Sequence, residues 1–93
     1  MDSKIKELNA DGFFKAVLTL ETLEDCYSFF ADVCTIPEIK AMSQRYNVAE
    51  MLDRGCVYSE IVKKTGASTA TISRVKRYGS DGYKKAFKRL KDK

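Results

Sequence analysis

The stretch Tyr58–Tyr78, YSEIVKKTGASTATISRVKRY, has the pattern of two short helices joined by a tight turn. Gly66 lies where the chain must turn, and a residue without Cβ takes positive φ there at little cost. The apolar residues are spaced so that two helices crossing at a steep angle would share one small seam. This seam comprises Ile61, Val62, Ala67, Ile72 and Val75. The stretch therefore predicts a helix-turn-helix.

The outward face of the second predicted helix is polar and becomes basic toward its end. It comprises Ser68, Thr69, Thr71, Ser73, Lys76 and Arg77. In a helix-turn-helix, the second helix enters the major groove of DNA and its first residues approach the base edges. An ordinary corner between two helices, without a partner, is the alternative. The combination of seam, turn glycine and basic face favours DNA binding.

Positive charge is concentrated in the C-terminal third of the chain. Residues 63–93 hold eleven Lys or Arg and two acidic residues, whereas residues 1–62 hold six basic and eleven acidic ones. The two parts therefore carry +9 and −5, which together give the formal net charge of +4. Such segregation is typical of a surface that binds a polyanion, although a solvated basic helix would have the same composition.

The 93 residues suffice for one domain with a small core. Cys26, Cys34 and Cys56 lack the spacing of a disulfide framework, and the chain has no histidine to complete a common zinc site. We expect buried or half-buried free thiols in a reducing cytoplasm, with no metal or other cofactor. Neither a signal peptide nor a membrane-spanning run is expected. Association into a homodimer is the remaining way to stabilise so small a domain.

Residues 1–34 are expected to form dimerisation helices. Helical spacing runs through residues 4–20 and is interrupted at Asp11-Gly12, where we expect either a break or a new helix with Asp11 as its N-cap. Thr22 begins the next helix, with Asp25 three residues on in an imperfect capping box. The apolar stripe of this helix comprises Leu23, Cys26, Tyr27, Phe30, Val33 and Cys34, with Phe29 at its flank. So aromatic a face favours a subunit interface.

Residues 35–55 predict the longest helix, the spine of the domain. Thr35 supplies a capping oxygen, Glu38 completes the capping box, and Pro37 is tolerated in the first turn. Gly55 follows the last turn, at a position where glycine is favoured. The apolar positions of this helix are Ile39, Met42, Tyr46, Ala49, Met51 and Leu52.

A basic helix is expected at residues 80–91. Ser68 would cap the preceding helix and Gly79 would end it, and Ser80 or Asp81 would begin the new one. Its apolar stripe comprises Tyr83, Ala86, Phe87 and Leu90, and its outward face carries Lys84, Lys85, Lys88, Arg89 and Lys91. The chain is thus expected to be all-α, with about six helices in a single domain over residues 1–93.

Local motifs for catalysis are missing from the sequence. It has no histidine and no glycine-rich phosphate loop, and Glu24-Asp25 fits an exposed helix face better than a catalytic pair. We therefore expect no enzyme. Two other classes of function stay open beside a DNA-binding regulator. One is a helical adaptor whose helix-turn-helix binds protein or RNA, and the other is a redox sensor with a reactive thiol.

Three segments carry a resemblance to a known family. They are TIPEIKAMSQR from Thr35, EMLDRG from Glu50, and GASTATISRV from Gly66. From about Leu23 to the end, the chain resembles the Trp repressor superfamily, and most closely its uncharacterised branch of YerC and YecD type. The most specific part is Gly66, Ala67, Ala70, Thr71, Ile72, Ser73 and Arg74.

The resemblance implies an interlocked homodimer that represses transcription from palindromic DNA, with reading heads about 34 Å apart. It implies that short side chains at the start of the second helix approach the bases, with water-mediated contacts. These are Ser68, Thr69, Ala70 and Thr71, with Ser73. Phosphate contacts would come from Lys63, Lys64, Lys76 and Arg77.

In the tryptophan-sensing members, two arginines and a threonine hold the corepressor. The matching positions are Thr35, Arg45 and Arg74, where two guanidinium groups could clamp a carboxylate. The sensing members have glycine directly after the second arginine, whereas this chain has Val75, and its loop near Gly55 is one residue shorter. This disfavours tryptophan as the effector and leaves another small carboxylate open.

Overall fold

A computed structural model describes residues 2–78 and 81–93 of the protein, with side chains from residue 4 to 77 and from 81 to 93. These residues form seven α-helices and no strand, which confirms the all-α prediction. The helices are α1 (Asp2–Lys6), α2 (Asp11–Val17), α3 (Leu23–Val33), α4 (Ile36–Asp53), α5 (Tyr58–Thr65), α6 (Thr69–Tyr78) and α7 (Asp81–Lys91). They form two compact units, residues 1–35 and residues 36–93.

The helix starts in the N-terminal unit are those expected, with one correction. Ala10 takes the N-cap position of α2 without a side-chain bond, so the prediction of Asp11 as N-cap is wrong. Asp11 is instead the first helical residue, where its negative charge favours the helix dipole. At α3, the Thr22 hydroxyl accepts a hydrogen bond from the Asp25 amide at 3.0 Å. The Asp25 carboxylate accepts from the Glu21 amide at 3.0 Å, one residue before the cap, so the capping box is imperfect.

Aromatic rings hold the N-terminal unit together, yet its apolar surface stays open. Phe13 stacks on Phe29 at 5.9 Å between ring centroids and meets Phe30 edge-on at 6.4 Å. Neither α2 nor α3 has a buried residue. Leu23 and Tyr27, one turn apart on α3, are 78% and 75% exposed. A single copy of the chain therefore leaves Leu23 and Tyr27 of this stripe in contact with water.

The core of the C-terminal unit is small and surrounds the spine helix α4. Its buried residues are Val48, Ala49, Met51, Ile61, Ala67, Ile72, Val75 and Phe87. The predicted seam between α5 and α6 is confirmed, with Val62 half-buried beside it. Val48, which is missing from the predicted apolar positions of the spine, is fully buried.

Helix α4 ends as its glycine predicts. Gly55 has φ +82°, a left-handed conformation that L-residues with Cβ rarely adopt. The Gly55 amide donates to the Leu52 carbonyl and the Cys56 amide donates to the Met51 carbonyl, both at 3.0 Å. This pair of bonds satisfies two of the last carbonyl groups of the helix and sends the chain toward α5.

Helix α7 packs on the spine through three aromatic rings. Phe87 lies 5.6 Å from Tyr46 and 6.2 Å from Tyr83, between ring centroids. Its lysines and Arg89 are exposed, as expected. Gly79 and Ser80, the expected boundary between the last two helices, lie outside the described residues. The three cysteines are free and half-buried, as predicted. Across the described parts of the chain, no helix has the length and apolarity needed to cross a membrane.

Candidate nucleic-acid interface

A three-residue turn, Gly66 to Ser68, joins α5 to α6. Gly66 has φ +72° and its amide donates to the Val62 carbonyl at 2.9 Å. Thr65 stabilises the turn from within, because its hydroxyl donates to the Ile61 carbonyl at 2.7 Å and accepts from the Ala67 amide at 3.1 Å. Ala67 is itself buried against the seam, so the turn packs on the core of the C-terminal unit.

The spine helix also stabilises this turn. The side-chain amide of Gln44 donates to the Thr65 carbonyl at 3.1 Å, in a half-buried position. This carbonyl belongs to the last turn of α5, where carbonyl groups have no intrahelical partner, so Gln44 supplies the missing hydrogen bond. The contact joins residues 21 positions apart, and no local pattern in the sequence indicates it. The sequence therefore does not indicate Gln44 and Thr65 as residues that position α6.

Two hydroxyl groups at the start of α6 bond to each other. The Ser68 hydroxyl accepts from the Thr71 amide at 3.1 Å, which confirms Ser68 as the cap of this helix. The Ser68 and Thr71 hydroxyl oxygens are also 3.1 Å apart, within hydrogen-bonding distance. Thr71 is half-buried, so its hydroxyl is placed at the flank of the predicted reading face.

The exposed side of α6 carries short side chains between positive charges. Successive residues of a helix are about 100° apart, so Ala70, Ser73 and Arg77 align opposite the buried pair Ile72 and Val75. Thr69 and Lys76 lie on one flank of this line and Arg74 lies on the other, all exposed. Lys63 and Lys64 are exposed in the last turn of α5. We call the exposed side of α6 with these lysines the α6 surface.

The α6 surface has the short central side chains and the surrounding cations that a major-groove binder needs. Ala70 and Ser73 have no long side chain to hold the helix away from base edges. Lys76 lies over the Tyr58 ring, with its Nζ 5.9 Å from the ring centroid, a cation–π contact between α6 and the start of α5. A groove binder of this kind would use the outer cations for phosphates and the central positions for bases.

The residues of the predicted effector site belong to different units of the chain. Thr35 is the last residue of the N-terminal unit, and Arg45 and Arg74 are exposed residues of the C-terminal unit. The carboxylate site therefore stays a prediction. In the described parts of the chain, no group of three His, Cys, Asp or Glu residues is placed to hold a metal ion.

Replacing Gly66 by alanine should lower the free energy of unfolding by about 1–2 kcal/mol, the cost of a Cβ in the left-handed conformation. Steric conflict adds nothing, since the nearest atom to an added Cβ is Gln44 Nε2 at 4.0 Å. Gly82→Ala is the matched control, because it lies in α7 with nothing within 4 Å of its added Cβ. The control should be neutral or stabilising by up to about 1 kcal/mol. Urea unfolding measures both, and equal effects would contradict the role of the turn.

Comparisons with known proteins agree on one family. The family model described as Trp repressor protein matches residues 8–91. The uncharacterised protein YerC of Bacillus subtilis is 50% identical over 92 residues, which span 96% of this chain and 88% of YerC.

Two solved structures have the same fold. A TrpR-like protein from Eubacterium eligens superposes with a TM-score of 0.87 at 52% identity, covering 95% of this chain and 94% of the other. A Trp repressor candidate from Staphylococcus aureus superposes with a TM-score of 0.87 at 47% identity, covering 96% and 92%.

Proposed function

Because the chain belongs to the Trp repressor family, we propose that it is a DNA-binding transcriptional regulator that inserts α6 into the major groove. The observation that carries the proposal is the α6 surface, with Ala70 and Ser73 at its centre and cations around them. Side chains this short let the helix backbone come close to the bases, where ordered water can complete the contacts. By occupying a promoter, the protein represses transcription. It acts in the cytoplasm, where the chromosome is located.

Charge supports duplex DNA as the partner. The segment from residue 63 to the end carries +9, and it includes α6 and the exposed lysines of α7. Neutralising phosphates with these groups releases counterions, so affinity should fall steeply as salt rises. The contribution of Lys63, Lys64, Lys76 and Arg77 is therefore general attraction and orientation, whereas sequence preference comes from the first turns of α6.

Two copies of the chain form the functional unit in this proposal. The N-terminal unit has no buried residue in α2 or α3 and leaves Leu23 and Tyr27 largely exposed. A second copy of the same stripe would cover these side chains in an interlocked, two-fold interface. The two α6 helices would then reach successive major grooves about 34 Å apart, and the operator would be an inverted repeat.

The proposal predicts a specific response of DNA binding to the loss of one cation. Arg77→Ala should weaken binding to all duplexes alike and reduce the slope of log affinity against log salt by about one. Arg54→Ala is the control, since it removes the same charge from an exposed residue whose partner is Glu50, at 3.7 Å on α4. Fluorescence anisotropy with a labelled duplex at several salt concentrations measures both. Equal losses from the two variants would contradict a phosphate contact at Arg77.

A further inference from the structure

Two kinds of contact hold the turn and α6 against the spine helix α4. The first is apolar packing, in which buried side chains of both helices share one core. They are Val48, Ala49 and Met51 from α4, with Ile72 and Val75 from α6. Apolar burial has no preferred direction, so it holds the two helices together without by itself fixing how one is rotated or shifted on the other.

The second contact is directional. Gln44 lies one turn before the buried Val48 on α4, and its side-chain amide donates to the Thr65 carbonyl at 3.1 Å. A Cβ added to Gly66 would lie 4.0 Å from the same amide nitrogen, so Gln44 is placed beside the turn itself. A hydrogen bond weakens steeply when it is stretched or bent. This bond therefore sets the position of the end of α5 along the spine.

Thr65 extends this constraint to the start of α6. Its hydroxyl donates to the Ile61 carbonyl at 2.7 Å and accepts from the Ala67 amide at 3.1 Å. Ala67 directly precedes Ser68, whose hydroxyl accepts from the Thr71 amide and caps α6. Hydrogen bonds and one peptide bond thus connect the spine to the first turn of α6.

From this connection we infer that Gln44 is a positioning residue that sets which half-site spacing the protein accepts in DNA. The inference rests on the proposed function, in which two copies of the chain each place one α6 in a major groove. One base pair added between the half-sites rotates one of them by about 35° and moves it by about 3.4 Å. An α6 that is fixed to its own spine follows this displacement only by straining the Gln44 bond, so a mismatched spacing lowers affinity.

Loss of the Gln44 bond should make the protein more tolerant of spacing. We define the spacing ratio as the dissociation constant for a duplex with one added base pair, divided by that for the preferred duplex. The net value of a neutral hydrogen bond corresponds to about two- to tenfold in an equilibrium constant, so Gln44→Met should lower the spacing ratio by about this factor. A change that only destabilises the fold or weakens attraction to phosphates affects both duplexes alike and leaves the ratio unchanged.

Fluorescence anisotropy with the full-length protein measures the spacing ratio. The probes are the inverted repeat that the wild-type protein enriches from random duplex DNA, and the same duplex with one base pair inserted at its centre. Gln44→Lys should keep the wild-type ratio, because its ammonium group can donate to the same carbonyl. Asn47→Met should also keep it, as the matched loss of an exposed side-chain amide from the same helix. Circular dichroism checks that each variant is folded, and Gln44→Glu, which has the shape of glutamine without its donor, replaces Gln44→Met if that variant is not.

The outcomes separate this inference from the proposed function. A wild-type spacing ratio in Gln44→Met would overturn the inference and leave the proposed function intact. A ratio in Gln44→Lys as low as that in Gln44→Met would also overturn it, since the loss would then come from packing and not from the hydrogen bond. If the wild-type protein enriches no inverted repeat, or binds both duplexes equally, the proposed function and this inference both fail.

Discussion

Replacing Ala70 by glutamate should lower affinity for duplex DNA by at least about 100-fold, since a like charge against phosphates costs several kcal/mol. Ala70 lies at the centre of the exposed side of α6, opposite the buried pair Ile72 and Val75. A carboxylate there would stand between the base edges and the phosphates of the groove. The side chain is exposed, so the helix content and the melting temperature should stay close to those of the wild type. Anisotropy with labelled duplex and circular dichroism measure the two effects.

A matched variant separates this local effect from the change of net charge. Asn47→Glu adds the same charge at an exposed position of α4, which is not part of the α6 surface. It should reduce affinity by less than about threefold at 0.15 M salt, where charges further apart than about 8 Å are largely screened. If Ala70→Glu binds DNA as tightly as Asn47→Glu does, then α6 is not the helix in the groove.

Replacing Leu23 or Tyr27 by aspartate should convert the protein from dimer to monomer. Both side chains are more than 70% exposed in a single copy, on the apolar stripe of α3. In the proposed interface they become buried against the second copy, where an unpaired carboxylate would be strongly unfavourable. Sedimentation equilibrium at micromolar concentration should give about twice the 10.5 kDa chain mass for the wild type, and the chain mass for either variant. Affinity for a two-site operator should fall by about 100-fold or more. In the dimer, binding of one half-site holds the second α6 at a high effective concentration near the other half-site, and a monomer lacks this advantage.

The control for the interface lies on the same helix. Ser28→Asp adds the same charge to an exposed residue of α3, on the side opposite the stripe. It should remain a dimer with normal DNA binding. A wild-type protein that sediments as a monomer, or aspartate variants that remain dimers, would contradict the interlocked arrangement.

Most of the fold follows from local patterns in the chain. The seam residues Ile61, Ala67, Ile72 and Val75 are all buried, and Gly66 takes the positive φ that its position predicts. Such features depend on the spacing of apolar residues and on the conformational freedom of glycine. Both can be recognised from residues that are neighbours in the sequence. The hydrogen bond that joins the spine helix to the turn before α6 does not follow from a local pattern. Gln44 reaches Thr65 only because the spine packs across the turn.

The candidate site also combines features that local sequence predicts with features that depend on side-chain packing. Ser68 was predicted as a cap and bonds the Thr71 amide as expected. Thr71 stays a predicted base-contacting residue, and its hydroxyl oxygen lies 3.1 Å from that of Ser68. Helical spacing alone could not indicate this pairing, because it depends on the rotamers of both side chains.

The most direct test of the proposed function is selection of bound sequences from a random pool of duplex DNA, using the wild-type protein. The proposal predicts an enriched inverted repeat, with half-sites centred about 10 base pairs apart, one turn of the double helix. Ala70→Glu should enrich nothing from the same pool. If the wild-type protein itself enriches no motif, sequence-specific DNA binding is contradicted, and a helical adaptor that binds protein or RNA becomes the better account.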